Sequence, residues 1–215
     1  MVASPDHTAA MSYYPATTRC TAFLDHERLA WGELRHVAIK VKQRFPHMDH
    51  VPALLVFNDQ DGTAMELDLR GSVTDVTHRY AMSAGSAHLA ATASPPETPL
   101  KRGRGRPKLG VVPREVTLLP RHWQWLNAQP GGASVALRKL VEDARKLHEG
   151  ADRVRQSQER CYRFMSAIAG NLPGFEEATR ALFARDFAGF ESHIAIWPDD
   201  IRDHVLMLAG NALHA

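Results

Sequence analysis

The residues best placed to do chemistry stand close together. Lys101, Arg102, Arg104, Arg106 and Lys108 fall within one short run, separated by Gly103, Gly105 and Pro107. Cations on a slim, extended backbone can each neutralise a phosphate, so this spacing suggests polyanion binding rather than bond making. A purely solvated basic linker accounts for the same run. Groups suited to catalysis are scattered by contrast. The chain has 12 histidines, yet no pair shows His-Glu-x-x-His or another metal-ligand spacing. His193 and His204 fall on expected helices, where they pack or face water. Gly103 and Gly105 follow no strand, as a phosphate-cradling loop requires. Ser134 opens an expected helix, and a capping role explains it without nucleophilic chemistry. Trp123 and Trp125 read as core or interface side chains rather than a base-stacking platform. Cys20 and Cys161 lie far apart with no partner motif, as reduced buried thiols would. No enzymatic activity, cofactor or metal is expected.

Charge is segregated along the chain behind a formal net charge of +2. Residues 1–83 carry a net −2, residues 84–113 +4, residues 114–165 +4 and residues 166–215 −4. A basic middle between acidic ends points to a polyanionic partner, which can be nucleic acid or an acidic protein surface.

With 215 residues, 44% of them hydrophobic and 23% charged, the chain can bury a core. Its apolar stretches, such as residues 51–57, are too short to span a membrane. Residues 1–17 lack the basic start and apolar run of a secretory signal and read as a disordered leader. A cytoplasmic protein with no membrane partner is therefore expected.

The elements that must position the basic run form an α+β fold in four parts. Residues 18–83 are expected to make a small ββαββα domain. Residues 20–24 and 28–31 are short strands around Asp25-His26-Glu27, and residues 34–45 place Leu34, Val37, Ala38, Val41 and Phe45 on one helical face before Pro46. Residues 53–57 form a buried strand. Met65, Leu67 and Leu69 alternate with Glu66, Asp68 and Arg70 as a hairpin strand with one wet face. Ser72 caps the next helix, with Asp75 in the reciprocal position of a capping box. Residues 84–113 are a Pro/Ala-rich and then basic flexible linker. Residues 114–215 make a mainly helical domain. It opens with a short strand at 114–119, a helix from Pro120 to about 128, and a Pro130-Gly131-Gly132 stop. A Ser134-capped helix follows, carrying Leu137, Leu140, Val141, Ala144 and Leu147. Helices over 153–170, 175–183, 187–196 and 199–213 complete it.

Arg104-Gly105-Arg106-Pro107-Lys108 resembles the core of an AT-hook. That resemblance implies arginines lying along the minor groove of A·T-rich duplex DNA, where negative potential is concentrated. Residues 114–146 resemble the ribbon-helix-helix segment of bacterial repressors, in which strands from two chains pair in the major groove. The resemblance implies a homodimer, phosphate anchoring by Gly132 and Ser134, and contacts from Arg114, Thr117, Arg138 and Lys139. Glu115 departs from it, because a carboxylate facing DNA is repelled. Taken whole, the chain is similar to a bacterial family known as a domain of unknown function. Asp68-Leu69-Arg70-Gly71, Arg104 to Gly110, Leu119-Pro120-Arg121-His122-Trp123 and Gln129-Pro130-Gly131-Gly132 carry that similarity. The expected function is DNA binding, as a transcriptional regulator or nucleoid-associated factor. The alternative is a non-enzymatic protein-interaction or scaffold protein.

Overall fold

A computed structural model describes residues 14–89 and 112–213. The fold is mixed α+β, with a small antiparallel sheet and its helices followed by a mainly helical C-terminal region. The chain divides into two compact units. One joins residues up to 92 with residues 151–215, and the other is residues 93–150. This division differs from the expected boundary at residue 114, and the reason lies in the sheet.

Strands β1 (Arg19–Leu24), β2 (Glu27–Glu33), β3 (Leu54–Asn58) and β4 (Ala64–Met65) stand in the order β2-β1-β3-β4, all neighbours antiparallel. β1 and β2 join through the two-residue Asp25-His26 turn, with Leu24 opposite Glu27. β1 is buried from Cys20 to Phe23, on both faces of the pleat. Cys20, Ala22 and Val56 point into one core with Leu34, Val37, Ala38 and Val41 of helix α1 (Leu34–Arg44) and Val76 and Tyr80 of helix α2 (Val73–Leu89). Phe23 and Phe57 point the other way, into a core with Cys161, Phe164, Met165, Leu182, Phe190, Ile201, Val205 and Leu208. Alternation by two residues sends successive side chains to opposite faces, so an apolar strand needs cover on both. The C-terminal helices supply the second cover. Both faces of the sheet are therefore covered at β1 and β3.

The fourth strand is also shorter than the alternation of Met65, Leu67 and Leu69 suggests. Met65 and Leu69 are buried, but the ladder to β3 ends at Met65 opposite Val56. Beyond it the backbone finds partners off the sheet. The Asp68 amide donates to the Tyr80 hydroxyl at 3.0 Å, and its carbonyl accepts from Arg79 at 2.8 Å. The ββαββα arrangement is thus met only in outline. The capping box is present: Ser72 N–H and Oγ both donate to Asp75 Oδ2 at 2.7 Å, and Asp75 N–H donates back to Ser72 Oγ at 3.2 Å.

Helix α3 spans Pro120–Asn127 and α4 is one helix over Gly132–Ile168. Helices α5 (Phe175–Ala184), α6 (Phe187–Ile194) and α7 (Asp199–Leu213) follow. Asp186 caps α6 by accepting from Gly189 N–H at 3.0 Å. α6 stops two residues before the expected end, and Trp197 folds inward to donate to the Pro173 carbonyl at 2.8 Å. In the first unit, the second half of α4 is tied to α7 by Ser157 Oγ and Arg160 Nε, which both donate to the Leu208 carbonyl. Asp200 of α7 accepts the Arg28 N–H of β2 at 2.7 Å.

One buried cation escaped the sequence pattern. Lys42 is 1% exposed on the core face of α1, donating to the Met48 carbonyl at 2.9 Å and to Asp49 at 3.1 Å. Its aliphatic stem packs as a hydrophobe while the ammonium at the tip makes these two bonds.

Candidate nucleic-acid interface

Lys101, Arg102, Arg104, Arg106 and Lys108 lie outside the described residues. The remaining candidates, Arg114, Thr117, Gly132, Ser134, Arg138 and Lys139, all belong to the unit of residues 93–150.

Residues 112–119 carry no regular secondary structure and are exposed apart from Leu118, which is half-buried. The expected strand at 114–119 is therefore corrected to an unpaired segment. A strand is defined by its ladder, and these residues have no neighbour to pair with among the described residues. Arg114 and Thr117 are exposed on it, and Glu115 is exposed as well. Leu118 is turned toward the helices, lining an open groove of about 280 Å³ with Arg121, His122, Trp125, Leu126, Leu137 and Leu140. The pattern in the sequence singled out the leucines of α4 but not this groove.

Pro120 starts α3 as expected, with an extended Leu119 before it. The glycine turn is sharper than a simple stop. Gly131 and Gly132 both take positive φ, 87° and 75°, and a Cβ on Gly131 would press on the Val135 side chain. Two successive left-handed residues let α4 begin at Gly132, two positions before Ser134. Ser134 is then a first-turn residue rather than the cap, and its hydroxyl has no hydrogen-bond partner among the described residues. The Gly132 amide is already taken, donating to the Gln129 carbonyl at 2.9 Å, whereas Ser134 lies in the first turn of α4, where helix geometry leaves amides without a carbonyl one turn earlier. One turn on, Arg138 donates from Nε to the Ser134 carbonyl at 3.0 Å, which holds the guanidinium beside that turn. Lys139 is exposed.

Ser134→Ala is expected to leave stability within about 0.5 kcal/mol of the native chain, because no hydroxyl bond is lost. Gly132→Ala, with open space around the added methyl, is expected to cost about 1 kcal/mol through its positive φ alone. Urea unfolding of the two variants checks both values.

Groups that could do covalent chemistry are placed elsewhere, in the first unit. Burial pushes the Cys20 thiol up to about 12, with the Asp59 carboxylate adding to it, and burial pushes Cys161 up as well. Both are poor nucleophiles in that state. His204 is 2% exposed between the rings of Phe23 and Phe164, with Nε2 unpartnered. Burial holds its pKa down to about 4, and the nearby Arg28 and Arg160 act in the same direction. The expectation that His204 packs or faces water resolves to packing. Among the described residues no His, Cys, Asp and Glu side chains group in a way that could hold a metal, and no helix is long and apolar enough to cross a membrane.

A family model described as "Uncharacterized protein conserved in bacteria (DUF2239)" matches residues 19–209. No curated protein and no solved structure gives a match.

Proposed function

The chain belongs to this bacterial family of uncharacterised proteins, and on that footing we propose that it is a DNA-binding protein, a transcriptional regulator or nucleoid-associated factor. One observation carries the reading. Residues 114–119 are exposed and unpaired, and their Leu118 lines the same groove as Leu137 and Leu140 of α4. An exposed, unpaired segment free to meet a second chain is what a two-chain ribbon over a phosphate backbone requires. The charge distribution supports it, since the excess of cations lies in residues 84–165. In this reading the first turn of α4 at Ser134, with Arg138, receives phosphate, Gly132 shapes the turn that presents it, Arg114 and Thr117 reach the groove, and two chains pair through residues 114–119. The run Lys101, Arg102, Arg104, Arg106 and Lys108 adds phosphate contacts and a preference for A·T-rich minor grooves.

The test is binding to duplex DNA across a salt series. Five basic residues in the run would contribute a log–log slope of up to about −4.5, at about 0.9 per phosphate. Replacing Arg104 and Arg106 by alanine is expected to weaken binding to A·T-rich duplexes more than to G·C-rich ones. Binding that ignores salt, or none at low salt, overturns the reading. Equal loss on both duplexes reduces the run to a generic basic tether.

A further inference from the structure

The first half of α4 carries a repeat that the described residues of its own unit leave largely uncovered. Leu137, Leu140, Ala144 and Leu147 follow at intervals of three, four and three residues. On a helix this spacing makes one apolar seam, positions a and d of a heptad. The charges sort around it with the same period. Arg138, Lys139, Glu142, Arg145, Lys146 and Glu149 all fall at the outward positions b, c and f. Glu142 binds Arg145 and Lys146 there, at 2.9 and 3.9 Å, along the outer face of the same helix. Flanking the seam are only Val141 and His148 at e, with Ala136, Asp143 and Gly150 at g.

Such sorting belongs to a helix that meets another helix, yet the seam is bare. Leu140 is 47% exposed, Val141 64% and Leu147 79%. α3 reaches only its beginning, where Leu126 is buried and Trp125 remains 53% exposed beside Leu137 and Leu140. A soluble chain that exposes a leucine seam and a neighbouring tryptophan together presents an association surface.

We propose that a second copy of this chain covers the seam, with α4 lying parallel and in register against α4. Charge decides the direction. In a parallel pair each g position faces e of the following heptad across the seam, which sets Asp143 opposite the partner subunit's His148. An antiparallel pair sets g against g and brings two Asp143 carboxylates together. Two heptads are short for a free-standing coiled coil, so the apolar groove beside Trp125 and Leu118 is part of the covered surface. The pairing places the two glycine turns at one end of the dimer, so both α4 N-termini open the same way. It needs neither DNA nor the pairing of residues 114–119.

The experiment is sedimentation of the full chain without DNA, at concentrations from below to well above 10 micromolar on the order typical of such contacts. The expected result is a dimer. Leu140→Glu combined with Leu147→Glu is expected to weaken it at least about 100-fold, with helical content unchanged because both side chains are exposed. Ala144→Cys, at a seam position that meets itself in a parallel pair, is expected to give an interchain disulfide under mild oxidation. Cys20 and Cys161 are buried and do not compete. A native monomer, a dimer indifferent to the two glutamates, or a dimer in which Ala144→Cys fails to cross-link each overturns the proposal. Deleting residues 114–119 separates the two contacts: a dimer that survives supports the seam, and one that is lost shows the ribbon carries the association. DNA binding by a monomer would leave the nucleic-acid reading standing while removing the seam.

Discussion

Replacing Gly62 by alanine is expected to cost about 4 kcal/mol of stability, near the upper end for a single methyl group. Gly62 sits in the β3–β4 turn at φ 70°, a left-handed conformation that costs a residue with a Cβ about 1 kcal/mol by itself. The larger part comes from what faces it. A Cβ at Gly62 would overlap the backbone of Arg160, its carbonyl oxygen first and its carbonyl carbon and Cα next at 2.8 and 2.9 Å. Neither side can yield cheaply. The turn is closed by Gly62 N–H to the Asn58 carbonyl, and Asp61 Oδ1 takes both the N–H and hydroxyl of Thr63. Arg163 clamps it to α4 by donating to the Asp61 carbonyl at 2.8 Å. On the other side Arg160 is held to α7 through the Leu208 carbonyl. Gly210→Ala, in α7 with nothing within 4 Å of the new methyl, is the control and should be neutral or slightly stabilising. Urea unfolding of the three proteins measures the difference. A Gly62→Ala midpoint close to native would mean that the turn does not approach α4 this closely.

Acid is expected to remove about 3 kcal/mol through His204 alone, at 1.36 kcal/mol per pH unit of displacement. The ordinary imidazole pKa is 6.5, and burial holds this one down to about 4. Below pH 6.5 the unfolded chain takes up a proton that the folded chain refuses, so stability falls as pH drops from 6.5 to 4 and levels off below. The ring has no acidic partner to compensate, since the charges acting on it are Arg28 and Arg160. Asp68 acts in a separate window. Its carboxyl is held down to about 2, chiefly by the Arg70 hydrogen bond, so its contribution is lost only below the usual carboxylate value of 3.8. Asp59 is raised by burial and works in the opposite sense just above that value. The measurement is therefore a difference: unfolding free energy against pH for the native chain and for His204→Leu. The variant should lose the slope between pH 6.5 and 4. Parallel profiles would show that the imidazole ionises freely in the folded state.

How far the sequence led depends on whether a signal was local. The apolar spacing of 34–45 and the Pro120, Pro173-Gly174 and Pro198 punctuation placed α1, α3, α5 and α7 to within a residue or two, and the Ser72–Asp75 pair was visible as a cap. These are short-range rules satisfied by neighbours in the chain. β1 was located without its burial, because Cys-Thr-Ala-Phe-Leu reads the same whether one face or two are buried, and the second cover comes from residues more than 130 positions away. Lys42 was missed for a different reason: its charge is met nearby, by the loop carbonyl of Met48, which no periodicity announces. The 114–119 segment failed as a strand because β structure needs a second strand, and one chain does not provide it. On α4 the structure shifts Ser134 from cap to first turn through the left-handed Gly132, which the Ser-for-cap rule does not foresee.

The double-sided burial of β1 has a consequence for the order in which the protein can be made. When residues up to about 90 leave the ribosome, α1 and α2 can close over Cys20, Ala22 and Val56 at once. Phe23 and Phe57 must wait until Phe164, Val205 and Leu208 have been synthesised. Through that interval the nascent sheet leaves two aromatic rings uncovered, so the first part to emerge is among the last to be finished. A translation pause or premature stop before residue 160 would release a chain with an adhesive sheet face, a substrate for chaperones and proteases rather than a smaller working protein.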